Sequence, residues 1–222
     1  MPSNVQYQGP AQLPEVIPIF PLAGALLLPR GQMPLNIFEP RYLAMVDAAL
    51  AGDRLIGMIQ PINEKAGEAP PDLMAVGCVG RLTEFAETGD GRYLITLTGI
   101  ARFRLIEEVV TDAPFRKAQV STAPFRPDFI ARLGEDAVDR EAVLIALRAF
   151  SDAKAVEIDW ESVGQASNEA LVNALSMMCP YGLKEKQALL EAPDLKTRAE
   201  LLIALTEIDL SGPGGDGDIT VQ

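Results

Sequence analysis

The chain has 222 residues, 48% of them hydrophobic and 23% charged, a balance that suits a globular protein with a real core and excludes a disordered one. With 31 acidic against 19 basic residues the formal net charge is −12, a field that repels phosphate backbones and argues against nucleic acid as the main partner. There is no histidine, which removes Ser-His-Asp and Cys-His catalysis and every zinc site built on imidazole.

Residues 1–15 are polar with scattered Pro and Gly, and are expected to be a flexible N-terminus. Residues 16–29 form an apolar run that raises the question of a signal or an anchor. A secretory signal needs basic residues before its apolar core, yet the first basic side chain is Arg30. A spanning helix needs about 20 apolar residues, and Pro18 and Pro21 break this shorter run. The segment is therefore expected to belong to the fold, with no membrane partner. "VIPIF" reads as an edge or first strand, "ALLL" as a further β-like piece stopped by "PRGQ", and "MPLNIF" as another strand. Pro40 then suits the first turn of a helix carrying Leu43, Val46 and Leu50 at helical spacing.

"RLIGMIQ" is the next predicted strand, followed by a loop reaching Asp72. "MAVGCVGRLTEFAE" reads as a strand in which Gly77 and Gly80 suggest a bulge or a close backbone approach. Asp90-Gly91 supplies the turn of a hairpin into "RYLITLT", and "IARFRLIEEV" continues it. Alternation there puts Ile100, Arg102, Arg104 and Ile106 on one face, Phe103 and Leu105 on the other. "FRKAQVSTAPF" closes a β-rich unit of six or seven strands over 16–124.

Over 125–210 the period changes to that of helices. Val138 with Leu144 or Ile145, then Leu171, Leu175 and Met178, then Leu183 and Leu190, then Leu195, Ala199, Leu202 and Leu205 mark four apolar stripes, the last opened by Asp194 as an N-cap. Strands followed by helices give an α+β arrangement, a barrel and then a helical bundle. The charge divides in the same way, 10 basic and 13 acidic residues up to 124 against 9 and 18 beyond it. Residues 211–222, rich in Gly and Asp, are expected to form a disordered tail.

Motifs for chemistry are sparse. No lysine follows a glycine, so there is no Walker A loop. Cys78 and Cys179 belong to no C-x-x-C pair and read as two buried, reduced thiols in a cytoplasmic protein, with no metal or cofactor expected. Ser151 and Lys154 match S-x-x-K without its usual companion motifs and are read as a polar helix end. The adjacent pairs Glu107-Glu108 and Glu135-Asp136 point apart and are read as solvated. Arg92, Arg102 and Arg104 gather near the hairpin as a basic strip, either an anion or peptide-carboxylate site or exposed arginines pairing with Glu84, Glu87 and Glu107.

Three stretches carry a family resemblance: "IPIFPLAGALLLPRGQMPLNIFEPRYLAMVDAAL", "VGCVGRLTEFAETGDGRYLITLTGIARFRLIEE" and "SNEALVNALSMMCPYGLKEKQALLEAPDLKTRAELL". Together they resemble the N-terminal, substrate-binding domain of Lon proteases over roughly residues 16–208. The resemblance implies a PUA-like β-barrel followed by a helical bundle, and recognition of proteins rather than their cleavage. The chain is similar to a free-standing bacterial member without the ATPase and peptidase domains, so it is expected to be no enzyme. Its expected partners are protein or peptide substrates, with a protease or chaperone behind them; RNA binding, known among PUA-like barrels, is the alternative. In "FEPRY", Phe38 is expected to end a buried strand and Glu39, Arg41 and Tyr42 to form a joint. With Arg92, Arg102 and Arg104 these three are the candidate peptide- or partner-binding residues, and a groove with apolar walls between barrel and bundle is the natural place for a ligand.

Overall fold

Alternating β-formers up to Ser121 build one six-stranded sheet in a computed structural model that describes residues 5–63 and 71–211. The strands are β1 (Val16–Pro21), β2 (Gln32–Ile37), β3 (Leu55–Pro61), β4 (Leu73–Thr88), β5 (Arg92–Val109) and β6 (Lys117–Ser121), and α1 (Pro40–Ala51) lies between β2 and β3 in the chain. Their order is β2-β5-β4-β3-β1-β6, and β6 also pairs with the far half of β5, which closes the sheet into a barrel and leaves β2 as an edge strand. Edge position suits Pro34, which has no N–H to give a second neighbour. β1 is not an edge. It runs antiparallel to β6 through Pro18 and parallel to β3 from Ile19 to Pro21, so each proline stands at the end of a ladder.

Leu26, Leu27 and Leu28 are fully buried but form no strand. They pack into the core that barrel and helices share, with the Leu28 carbonyl laid against Gly99; a Cβ built on Gly99 lies 2.0 Å from that oxygen. Gly77 has the same logic towards the barrel interior, where its Cβ would meet the Phe103 ring at 2.4 Å. Gly80 pairs with Gly99 beside a bulge, so the glycines provide both the bulge and the close approach. In α1 the buried stripe is Tyr42, Met45, Val46 and Ala49, with Leu43 and Leu50 half-buried: the helix is turned from the expected face because the Tyr42 ring packs 4.3 Å from that of Phe20.

After β6, the 3-10 turns Ala123–Phe129 and Glu135–Ala137 lead to α2 (Arg140–Lys154), α3 (Trp160–Gln165), α4 (Asn168–Met178), α5 (Leu183–Glu191) and α6 (Leu195–Ser211). Asp139, Asp159, Ser167 and Asp194 accept hydrogen bonds from the first free amides of α2, α3, α4 and α6, caps that contribute about 1 kcal/mol each. The short α3 carries no apolar stripe, and sequence periodicity misses it. One continuous apolar core runs from Phe20, Leu27 and Leu97 of the barrel to Leu147, Leu189 and Leu202 of the helices, while a smaller cluster around Ile19 and Phe103 fills the barrel.

Three expectations change. Residues 5–15 are tied down: Leu13 is buried and the Tyr7 hydroxyl accepts from Arg81 at 2.9 Å. Phe38 is 61% exposed, because Ile37 is the last inward residue of β2 and the pleat turns its successor out. Met178 is 76% exposed, since the buried side of α4 is Leu171, Val172 and Ser176. The expected tail from 212 onwards, residues 1–4 of the expected flexible start and residues 64–70 of the loop before β4 lie outside the described residues.

The Leu28–Gly99 contact is testable. Gly99→Ala forces backbone against backbone and is expected to lower the free energy of unfolding by about 3 kcal/mol in urea titration. Gly89→Ala, in open space, is expected to leave it unchanged.

Candidate functional site

Arg102 marks where barrel and helices meet. Alternation along β5 sends Phe103 into the barrel and Arg102 to the outside, but here the outside is covered by the linker after β6 and the end of α5. Arg102 is therefore only 4% exposed. Its backbone N and Nε each donate to Asp128 Oδ2 at 2.9 Å, and Nη2 donates to Oδ1 at 2.8 Å. Nη1 donates to the carbonyls of Leu190 at 3.1 Å and Ala192 at 2.6 Å, while the guanidinium lies 4.8 Å from the centroid of Phe125. One side chain thus holds strand, linker and helix end together.

The expected basic strip does not form. Arg104, two residues on, emerges past the helices and is exposed, its side chain making no hydrogen bond or ion pair among the described residues. Arg92 pairs with Asp90 at 3.2 Å and lies 5.8 Å from the exposed ring of Phe38. Glu39, Arg41 and Tyr42 do form a joint. Glu39 is the N-cap residue of α1 but pairs with Arg41 at 2.8 Å instead of capping, and Arg41 covers the buried Tyr42 ring at 4.5 Å. Burial pushes the Tyr42 hydroxyl above its ordinary range, against the opposing pull of Arg41. These three lie on α1, away from the cleft described next.

That cleft, about 570 Å³, opens between the start of β2, residues 131–132 of the linker and the outward face of α4. Ala170, Ala174, Met177 and Met178 form its apolar wall, and methionine side chains adapt to varied apolar shapes. On the opposite wall, Arg30 donates to Glu169 through Nε at 2.9 Å and through Nη2, and to the Asp128 carbonyl at 2.6 Å. The Arg132 amide donates to the same carboxylate at 2.9 Å. Arg30 and Arg132 both have left-handed backbones, φ 65° and 63°, a conformation rare outside glycine and held here by Glu169. Asn173, buried beneath, donates to the Pro29 carbonyl and accepts from Arg198. Burial, then the like charge of Arg102, lowers Arg198 to about 10, so it stays cationic at neutral pH.

A polar seam continues behind α5. Gln60 donates to Gln187 at 3.0 Å, Gln187 to the Val76 carbonyl at 3.1 Å, and Lys186 to the Gly24 carbonyl at 2.8 Å. Burial depresses the Lys186 ammonium below the usual lysine range. Nothing in this seam or in the cleft pairs a nucleophile with a base. The Ser151 hydroxyl donates to the Val156 carbonyl and the Lys154 ammonium pairs with Asp209, so the two are not partners. Burial raises both thiols, Cys78 the more strongly. Among the described residues no cluster of three or more His, Cys, Asp or Glu could hold a metal, and no helix is long and apolar enough to cross a membrane. The signal for the cleft that sequence periodicity misses is Met177-Met178 beside "CPYG": two methionines where a helix ends, one of which falls on the expected core stripe.

The model of the ATP-dependent protease La (LON) substrate-binding domain matches residues 16–207. Lon protease 2 of Myxococcus xanthus is 30% identical over 198 residues, which cover 87% of this chain and 24% of that protein. Lon protease of Cytophaga hutchinsonii is 30% identical over 209 residues, 90% of this chain and 25% of that one. The chain thus spans about a quarter of the length of these relatives. A Lon N-terminal domain protein from Xanthomonas campestris superposes with a TM-score of 0.59 at 23% identity, over 85% of this chain and 97% of that one. The N-terminal domain of Mycobacterium avium complex Lon protease gives 0.64 at 16%, over 86% and 98%. At these identities the two structures speak for the α+β fold.

Two outcomes follow from the buried groups. Asp128→Ala strands a buried guanidinium and is expected to cost about 3–5 kcal/mol in denaturant titration, with amide exchange rising together in β5 and α5. Raised thiol pKa values and burial together keep thiolate out of reach, so Cys78 and Cys179 are expected to resist an aromatic disulfide reagent at neutral pH and to react only in denaturant.

Proposed function

Since the chain belongs to the Lon substrate-binding domain family, we propose that it is a non-catalytic recognition module that holds polypeptide segments exposing apolar side chains in the cleft between barrel and α4. The observation that carries this reading is the wall of Met177, Met178, Ala170 and Ala174: an open apolar surface bordered by charges that already pair with each other. An adaptable wall with a neutralised rim selects for exposed apolar side chains rather than for one sequence. The absence of a nucleophile–base pair at the cleft accords with binding without cleavage. In this reading the bound segment is passed to a protease, the activity named in the relatives. The RNA alternative is left with Arg104 alone of its basic strip, because Arg102 is consumed by Asp128 and Arg92 pairs with Asp90.

Fluorescence anisotropy of a labelled, permanently unfolded polypeptide tests the reading. Met178→Asp places a charge on an exposed position of the wall and is expected to weaken binding at least fivefold without loss of thermal stability. Val110→Asp, fully exposed in the loop after β5, is expected to bind like the parent. Equal binding by the parent and Met178→Asp rules out the cleft.

A further inference from the structure

Behind the cleft, and sharing Arg30, Glu169 and Asn173 with it, a narrower arm of about 110 Å³ runs between the linker, β5 and the start of α6. Three arginines reach it. Arg30 is neutralised by Glu169 and Arg102 by Asp128, but Arg198 is within ion-pair distance of no carboxylate among the described residues. Arg198 is nevertheless 5% exposed. Its Nε donates to the Leu189 carbonyl at 2.9 Å and its Nη1 to Asn173 Oδ1 at 3.2 Å, both neutral acceptors. Its Nη2, with two N–H groups, makes no hydrogen bond among the described residues. Asp128 and Glu169 act on this cation only at a distance, so it lacks a direct anionic partner.

The acidic residues on the same wall are already engaged. Both oxygens of Asp128 serve Arg102, both oxygens of Glu169 serve Arg30 and the Arg132 amide, and Asp194 caps α6 through the Thr197 amide at 2.8 Å. We propose that this arm is a carboxylate-binding site, in which Arg198 Nη2 donates to a small carboxylate entering past the exposed side chains of Ile130 and Leu133. The arm is roomy enough for a carboxyl group with a short apolar stem. Guanidinium matches that ligand in charge and in planar shape. The carboxylate comes either from a free short-chain acid or from the chain end of a polypeptide lying in the cleft; only the second source rests on the recognition reading above.

Sodium acetate titrated against sodium chloride at matched ionic strength, with the arginine Nε–H resonances followed by NMR, tests the site. Acetate is expected to shift the Arg198 resonance saturably and to raise the melting temperature, and acetamide to do neither. Arg198→Gln keeps a donor for the Leu189 carbonyl and is expected to weaken acetate binding at least tenfold. Leu133→Trp, which narrows the mouth and leaves the arginine intact, is expected to do the same should Arg198→Gln fail to fold. Acetate indistinguishable from chloride, or acetate binding unchanged in Leu133→Trp, overturns the site. A peptide bound more weakly after C-terminal amidation assigns the carboxylate to a chain end, while acetate binding with no difference between the two peptides assigns it to a free acid. Acetate binding without any binding of unfolded polypeptide sinks the recognition reading alone; the reverse sinks only the carboxylate site.

Discussion

A guanidinium leaves water at a tolerable cost only where each of its nitrogens meets an acceptor, and the Arg102 site meets that condition by drawing on two separate parts of the chain. Asp128 comes from the linker, the two carbonyls from the end of α5, and the aromatic face from Phe125. None of these lies within the strand that carries the arginine. The helices therefore cannot shift along the barrel without exposing or orphaning a buried charge, and the apolar core shared by barrel and bundle takes its registration from that constraint. Hydrophobic contact alone is tolerant of sliding; a four-acceptor cage is not.

The cleft exists because this registration leaves α4 only partly covered. Leu171 and Val172 reach the shared core, while Met177 and Met178 are left facing the start of β2 across open space. The left-handed backbones of Arg30 and Arg132 turn the chain sharply enough for both residues to converge on Glu169, so one carboxylate on α4 fixes the width of the gap. Two of the four left-handed non-glycine backbones among the described residues, Arg30 and Arg132, thus stand at the cleft; the other two are Arg54 and Ala155.

Much of the fold was legible. Period-2 and period-3.6 patterns located five of the six strands closely and four of the five later helices, and the "FEPRY" stretch carried the family. What failed did so for identifiable reasons. "ALLL" has the composition of a strand, but its burial comes from filling a space and not from a ladder. α3 is held by its Asp159 cap and the stacking of Arg148 on Trp160 at 5.3 Å, neither of which leaves an apolar period. Arg102 and Arg104 look equivalent in a strand pattern, since alternation says which face a residue is on but not what lies over that face. The site residues were hardest for the same reason: the Glu39–Arg41–Tyr42 joint was readable because it is local, whereas Asp128, Glu169 and Arg198 meet their neighbours only through tertiary contacts.

The pairing of β1 sets an order of events during synthesis. β1 is laid down first, yet its partners are β3, in parallel, and β6, where Val16 faces Gln119. Such non-local ladders are slow to form because loop closure precedes any gain from pairing. As the chain leaves the ribosome, the apolar residues of β1 wait until Ser121 has emerged before the barrel can close around them. Arg102 stays hydrated longer still, until the carbonyls of Leu190 and Ala192 arrive. The end of α5 thus seals the charge in a strand made long before it.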